Sequence, residues 1–216
     1  MIKTRNNINK DLHIWHYISV DHFIEAIEND GLYFKRISIF EDNFEGSIPK
    51  VSYMLNKIDV EKENLKLRDI TYANCWHINT HECEAMWKIY GDLENGLAIK
   101  TKVANVFESF NKNDDIIIDK MKYIDFDMED ISVNRRMELF FYKRDLFDFE
   151  NEVRMVIRKE DEINKDGLFI NCNLEHLIDT IYVTNEQNKK MLIEALEKHG
   201  KKIKVMDSKL CGIPIV

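Results

Sequence analysis

The sequence predicts a single α+β domain over residues 1–216, with a mixed β-sheet core and flanking helices. Three observations predict this class. Helical and extended patterns alternate along the whole chain, no linker-like stretch or internal repeat interrupts them, and a strand–helix–strand pattern closes the sequence. A length of 216 residues fits one domain, and a composition of 44% hydrophobic and 32% charged residues is typical of a globular protein.

The charge and cysteine content limit the classes of protein that fit. A net charge of −8 argues against a chain that wraps broadly around nucleic acid or anionic lipid. Four cysteines are too few for a disulfide scaffold of this length. The first 30 residues lack an apolar run of signal-peptide length, and nowhere do 18 apolar residues follow one another. We therefore expect a cytoplasmic protein with reduced thiols and no membrane partner.

The first hundred residues predict four strands and three helices. The strands are expected at 14–17, 32–34, 70–76 and 96–99. Ser19 is expected to cap the first helix and Gly31 to end it. Pro49 suits the first turn of the second helix, which carries Ile58 on its apolar face. Thr80 is expected to cap the third helix, in which apolar residues recur at helical spacing.

The second half predicts two further strand regions, an aromatic-rich helical stretch and a C-terminal βαβ unit. Residues 116–126 are rich in β-branched side chains and 137–141 read as helical. In residues 152–158, apolar side chains at 153, 155 and 157 alternate with side chains that are charged except for Val156, which predicts a half-buried strand. A strand at 178–183, a capping box beginning at Thr184, a helix ended by Gly200 and a strand at 203–205 form the βαβ unit. Such a unit requires parallel pairing of its two strands.

Two short segments in the first fifty residues could contribute to a functional site. His16 lies on a strand between Trp15 and Tyr17, directly before a helix. It is either a packed histidine or a group that contacts a ligand. Residues 41–46 place three carboxylates around Phe44. They form either a solvated turn or a loop that directs Glu45 or Asp42 toward a cleft, where a carboxylate can bind a ribose hydroxyl, a metal or a cation.

The segment from Cys75 to Gly91 allows two interpretations. The spacing Cys-x-His-x3-His-x-Cys offers four ligands that tetrahedral zinc accepts, although it departs from the usual paired spacings. Trp87 and Tyr90 belong to a stripe at helical spacing, which is usually core. One of these rings could instead stack on a flat heterocycle.

The late acidic segment carries Glu150, Glu152 and Arg154 at alternate positions, so a strand would project all three to one face. One interpretation is a solvated face with ion pairs along the strand. The other is a carboxylate oriented by an arginine at the floor of a site, where it would stabilise a cationic transition state.

The order of these motifs resembles that of the bacterial domain-of-unknown-function family 2971 (DUF2971) across nearly the whole chain. The matching motifs are Trp15 to Tyr17, Asp42 to Glu45, Cys75-Trp76 with Met86 to Tyr90 and Gly96, and Lys143 with Phe147, Glu150, Glu152 and Arg154. The chain departs from the family pattern in having Asn43 after Asp42 where proline is usual, and Phe147 where tryptophan is usual.

The family layout is similar to that of ADP-ribosyltransferase-type domains, and this resemblance implies NAD as the substrate. It implies His16, Tyr90 and Glu152 as catalytic residues, with no metal. The residues implied to contact NAD are Trp15, Tyr17, Glu45, Trp87, Glu150 and Arg154. The resemblance further implies transfer of ADP-ribose to a nucleic acid or protein, an antitoxin or other partner protein, and a role in phage defence or toxicity.

Two other classes of function stay open at this stage. One is metal-dependent hydrolysis, of nucleic acid or another substrate, with Asp42, Glu45, Glu150 and Glu152 as oxygen ligands for Mg²⁺. The other is a non-catalytic recognition module, in which an acidic cleft binds a basic segment of a partner and aromatic side chains anchor it.

Overall fold

The computed structural model describes residues 2–4, 6–56, 60–131, 136–162 and 165–211. The chain divides into two compact units. The first unit comprises Met1–Ile8, Tyr33–Cys75 and Lys112–Leu168, and the second comprises Asn9–Leu32, Trp76–Asn111 and Phe169–Val216. The expected helix position Ile58 lies outside the described residues.

The described elements alternate between strands and helices. The strands are β1 (Lys3–Thr4), β2 (His13–Ser19), β3 (Gly31–Arg36), β4 (Thr71–Ile78), β5 (Gly96–Lys102), β6 (Ile117–Lys120), β7 (Lys122–Ile124), β8 (Tyr142–Arg144), β9 (Glu152–Arg158), β10 (Gly167–Asn171), β11 (Thr180–Val183) and β12 (Val205–Asp207). The α-helices are α1 (Val20–Glu28), α2 (Lys50–Asn56), α3 (Val60–Asp69), α4 (Glu84–Met86), α5 (Val103–Ser109), α6 (Leu174–Leu177) and α7 (Glu186–Lys198). Short 3₁₀ or π turns cover Ile37–Ile39, Trp87–Gly91, Arg136–Phe141, Asp145–Glu150, Glu160–Glu162 and Lys209–Cys211.

The first unit has a mixed sheet. β1 runs parallel to β6, and β6 runs antiparallel to β9 with Asp119 opposite Arg154. β3 pairs antiparallel with the beginning of β4, and β7 pairs parallel with β8. The apolar core of this unit contains Ile37, Leu67, Ala73, Met121, Phe140, Phe141 and Val156. Phe140 and Phe141 come from a 3₁₀ turn, not from the longer helical stretch that the sequence predicts.

The second unit also has a mixed sheet. β2 pairs antiparallel with the end of β4 and, over its full length, with β5. β5 pairs antiparallel with β11, and β11 pairs parallel with β12. The β11–α7–β12 segment therefore confirms the predicted parallel βαβ unit. The α+β class with a mixed sheet core is confirmed as well.

Helix ends differ in detail from the sequence prediction. Ser19 caps α1 as predicted, since its Oγ accepts the N–H of His22 at 3.2 Å. The helix ends earlier than expected, and Gly31 begins β3 instead. Cys83, not Thr80, precedes α4, and Asn185, not Thr184, caps α7. Asn185 takes the cap because its Oδ1 accepts the N–H of Asn188 at 2.8 Å.

No helix among the described residues has both the length and the apolar character needed to cross a bilayer.

Candidate functional site

Five charged side chains lie together in the interior of the first unit. They are Glu45, Lys143, Glu150, Glu152 and Arg154, and we call them the Glu152 cluster. All five are buried, and Lys143 is the most exposed at 8%. Charged groups are rarely buried without partners, because leaving water costs several kcal/mol per ion. The burial of these five charges therefore depends on their pairing with one another.

Arg154 links two carboxylates through paired hydrogen bonds. Its Nε and Nη2 donate to Glu152 at 2.6 and 3.1 Å, and its Nη1 and Nη2 donate to Glu45 at 2.6 and 3.0 Å. Nη1 also donates to the carbonyl oxygen of Phe140 at 3.1 Å. The planar guanidinium suits this arrangement because its donors form a rigid fork. Both carboxylates are consequently held in fixed orientations.

Lys143 supplies the second cation of the cluster. Its Nζ lies 2.5 Å from Glu150 Oε2, 3.4 Å from Glu45 Oε1 and 3.9 Å from Glu152 Oε2. Burial opposes its charge, but the carboxylates of Glu152 and Glu45 outweigh burial and raise the pKa of Lys143. Two cations thus face three carboxylates, so the ionised cluster carries one net negative charge.

Glu152 stays ionised despite its burial. Burial alone would raise the pKa of its carboxyl, but the positive charge and hydrogen bonds of Arg154 lower that pKa overall. Its oxygens also accept the thiol hydrogen bond of Cys75, whose own pKa is raised well above the ordinary value, mainly by burial. An ionised carboxylate has about four lone-pair positions. Among the residues that the structure describes, two donors of Arg154 and the thiol of Cys75 account for three of those of Glu152.

Local backbone geometry brings the parts of the cluster together. Asn151 adopts the left-handed conformation at φ 40° and separates the Asp145–Glu150 turn from β9. Gly46 has φ +67°, and an added Cβ there would lie 2.5 Å from the ring of Phe140. A larger residue at Gly46 would thus push away the loop that carries Glu45.

The strand predicted at 152–158 forms as β9, but it is buried on both faces from Glu152 to Ile157, so the prediction of a half-buried strand is wrong. The expectation that Glu150 shares a strand face with Glu152 and Arg154 is wrong as well, because Glu150 belongs to the preceding turn. The face that bears Arg154 is covered because Glu45 and Phe140 lie against it, as their hydrogen bonds to the guanidinium show. The solvated-face interpretation of these charges is therefore wrong, and the arginine-oriented carboxylate is present.

Three aromatic residues predicted to contact NAD pack together in the second unit. The rings of Trp15 and Tyr17 stack at 6.4 Å, and Tyr17 meets Trp87 edge to face at 5.6 Å. All three are buried. Trp15 Nε1 donates to the carbonyl of Asn79, and the Tyr17 hydroxyl accepts the N–H of Cys83. These contacts show a packing role, and contact with NAD stays a prediction.

The two remaining predicted catalytic residues also lie in the second unit. His16 points to the opposite face of β2 from Trp15 and stacks on Trp76 at 5.1 Å. Tyr90 is 47% exposed and lies in the π turn Trp87–Gly91, a type of turn that is frequent at functional sites. The structure groups Glu45, Glu150, Glu152 and Arg154 within the first unit, and the joint action of His16, Tyr90 and Glu152 stays a prediction.

Neither of the metal arrangements considered from the sequence forms in the described part of the chain. No group of three or more His, Cys, Asp or Glu side chains there is arranged to hold an ion. The thiol of Cys75 is directed to Glu152. The carboxylates expected to bind Mg²⁺ are instead paired with basic side chains, Asp42 with Arg144 at 2.8 Å and the others with Lys143 and Arg154.

Sequence reasoning assigned no site role to Lys143 or Tyr123, and it considered Cys75 only as a possible zinc ligand. Tyr123 accepts the N–H of Glu152 through its hydroxyl at 2.9 Å, and burial raises the pKa of that phenol. Lys143 was identifiable as part of the late motif, but its distance from Glu45 along the chain concealed their contact. Cys75 gives no sequence signal for its role, because a cysteine in an apolar strand is usually a packed thiol.

No family model and no curated protein sequence matches the chain. Among solved structures, Thermus sp. 2.9 DarT in complex with NAD+ matches with a TM-score of 0.50 and 10% identity, covering 96% of this chain and 100% of that chain. Thermus sp. 2.9 DarT in complex with ADP-ribosylated ssDNA matches with a TM-score of 0.48 and 9% identity, covering 97% and 100%. At 10% sequence identity, the first match gives evidence about the fold only. The chain is therefore similar in fold to DarT over nearly its whole length.

Proposed function

We propose that this protein is an NAD-dependent ADP-ribosyltransferase that transfers ADP-ribose to a macromolecule, either a nucleic acid or a protein. The observation that carries the proposal is the ionised Glu152, oriented by Arg154, in a chain whose fold is similar to that of a protein solved with NAD+. Fold similarity supports the substrate by analogy, and the chemistry of the carboxylate supports the reaction type. Membership of DUF2971 and a role in phage defence or toxicity belong to the same proposal.

The proposed reaction replaces one bond at C1′ of the ribose with another. The bond to nicotinamide breaks and its electron pair leaves with the nicotinamide, so positive charge develops on the sugar. A nucleophile of the acceptor then attacks C1′ and releases its proton. The fixed charge of Glu152 stabilises the cationic sugar, because a carboxylate already oriented in a low-dielectric site needs no reorganisation at that moment.

Arg154 and Lys143 would act as positioning residues in this scheme. Arg154 holds both oxygens of Glu152, and Lys143 lies 3.9 Å from one of them. A ribose hydroxyl is a suitable donor to the carboxylate of Glu152. The metal-dependent alternative is less well supported, because arginine and lysine nitrogens already occupy the neighbourhood of the oxygens it requires.

Glu152→Gln tests the proposal. The wild-type protein is expected to bind NAD and release nicotinamide, and Glu152→Gln is expected to lose roughly a hundredfold or more in turnover, the magnitude typical of removing a preorganised electrostatic group. The measurements are nicotinamide release, incorporation of labelled ADP-ribose into DNA, RNA and protein acceptors, and NAD affinity by calorimetry.

Glu25→Gln is the control, because Glu25 is exposed on α1 and takes no part in the cluster. Glu152→Asp provides a second variant that keeps the negative charge if Glu152→Gln proves unstable, and its circular dichroism spectrum checks the fold. A folded wild-type protein without NAD affinity, or equal turnover in Glu25→Gln and Glu152→Gln, would overturn the proposal.

A further inference from the structure

A continuous row of aromatic and cationic side chains lies on the first unit. The guanidinium of Arg144 lies 4.4 Å from the centre of the Phe44 ring and 5.3 Å from that of Phe147. The rings of Phe147 and Phe149 are 6.4 Å apart. With Leu146, which directly precedes Phe147 in the sequence, these residues form what we call the Phe44–Phe149 patch.

The patch exposes large apolar side chains to solvent. Leu146 is 71% exposed, Phe149 48% and Phe44 43%. They are held on short, constrained elements, since Phe149 lies in the Asp145–Glu150 turn and Phe44 is fixed between Arg144 and Phe126. Contiguous apolar side chains of this kind with a polar rim mark interaction surfaces more often than scattered ones do.

The exposed charged residues on the two segments that carry the patch, 41–45 and 143–149, are all acidic. The cations on these segments are less exposed and already engaged, because Arg144 pairs with Asp42 and Lys143 with Glu150. The exposed carboxylates Glu41, Asp145 and Asp148 form no ion pair with any residue that the structure describes. The patch therefore presents apolar anchors inside an uncompensated acidic rim.

We propose that the Phe44–Phe149 patch is a docking surface for a protein segment that carries basic side chains beside apolar ones. Apolar side chains of the partner would pack on Leu146 and Phe149, and its Lys or Arg side chains would meet Asp145, Asp148 and Glu41. The acidic rim and the net charge of −8 favour a basic protein segment over a nucleic acid.

The patch borders the Glu152 cluster. The Nζ of Lys143 lies 4.7 Å from the centre of the Phe147 ring, so that ring covers the most exposed member of the cluster. An occupant of the patch would therefore cover Phe147. The docking proposal does not depend on the proposed reaction, because binding can be measured without NAD.

The test uses labelled synthetic helical peptides of about 18 residues, which is five helical turns. The first peptide carries Leu and Trp at i, i+3, i+4 and i+7 with Lys and Arg elsewhere. The second replaces its Lys and Arg by Glu, and the third replaces its Leu and Trp by Ser. Fluorescence anisotropy measures their binding to the full chain at physiological salt, which screens non-specific attraction.

The first peptide alone is expected to bind tightly. Its affinity should fall roughly tenfold for Leu146→Ser with Phe149→Ser, and by a similar factor for Asp145→Lys with Asp148→Lys. The matched controls change the same residue types elsewhere on the first unit. They are Leu65→Ser, at a residue 53% exposed on α3, and Asp161→Lys in the Glu160–Glu162 turn. Both controls should bind like the wild type.

Several results would overturn the docking proposal. These are no binding of the first peptide, equal binding of the third peptide, or equal loss of affinity in the controls. Light scattering that shows a wild-type dimer dissociated by Leu146→Ser with Phe149→Ser would assign the patch to a second copy of the chain. An oligonucleotide that competes with the peptide at this patch would assign it to nucleic acid.

Discussion

At the scale of single residues, Arg154 makes the burial of two carboxylates possible. It donates to Glu45 and Glu152 together, which lie far apart in the sequence. The alternation of residues 150–154 was enough to predict that Glu152 and Arg154 share a face. It was not enough to predict burial, because the covering groups, Glu45 and Phe140, come from distant segments whose contacts leave no local pattern.

Arg154→Met should destabilise the protein strongly. The variant leaves Glu45 and Glu152 buried with only Lys143 nearby, and breaking a buried ion pair costs about 3–5 kcal/mol. Urea unfolding measures the change in free energy of unfolding. Arg158→Met is the control, because Arg158 is exposed at the end of the same strand and an exposed pair contributes about 1 kcal/mol or less. Equal losses in the two variants would contradict this description of the cluster.

The pH dependence of stability should reflect Glu152. The pKa of Glu152 is lower in the folded protein than in the unfolded chain. The ionised carboxylate therefore stabilises the folded state at pH values above its unfolded-state pKa of about 4.3. That contribution is lost as the pH falls through the folded pKa, because protonation removes the charge that Arg154 holds. Urea midpoints measured from pH 7 to pH 3 should fall more steeply for the wild type than for Glu152→Gln. Parallel curves would contradict the assignment.

At the scale of elements, the sequence predicted strands and helices better than their ends. β2, β5, β9 and the β11–α7–β12 unit lie close to where periodicity places them, because apolar spacing reflects burial directly. Helix-cap positions were less predictable where several polar residues follow one another in the sequence. Thr184 and Asn185 both suit the cap of α7, and only the hydrogen bond from Asn188 distinguishes them.

Asn185→Ala should remove the cap of α7. The loss of the hydrogen bond to the Asn188 N–H should cost about 1 kcal/mol of unfolding free energy. Asn185→Asp keeps the acceptor and should recover part of the loss, since Asn185 also donates to Glu94. Gln187→Ala, at an exposed position in the first turn, serves as the control for thermal unfolding. An unchanged melting temperature in Asn185→Ala would place the cap elsewhere.

At the scale of the whole molecule, the order of short motifs predicted more than any single motif did. The four motifs resemble those of DUF2971, and that resemblance implies an ADP-ribosyltransferase-like layout. The fold is similar to that of DarT over 96% of this chain despite 10% identity. The prediction of a single domain and the grouping of His16 and Tyr90 with Glu152 stay predictions. Local patterns give no measure of distance between segments so far apart in the sequence.

The most direct test of the central claim is the rate of nicotinamide release from NAD by the purified full chain, compared between the wild type and Glu152→Gln. We expect steady release by the wild type and a rate for Glu152→Gln that is lower by roughly a hundredfold or more, with both proteins folded. Release that is absent from the wild type, or unchanged when the charge of Glu152 is removed, would contradict the claim that this buried carboxylate drives the chemistry.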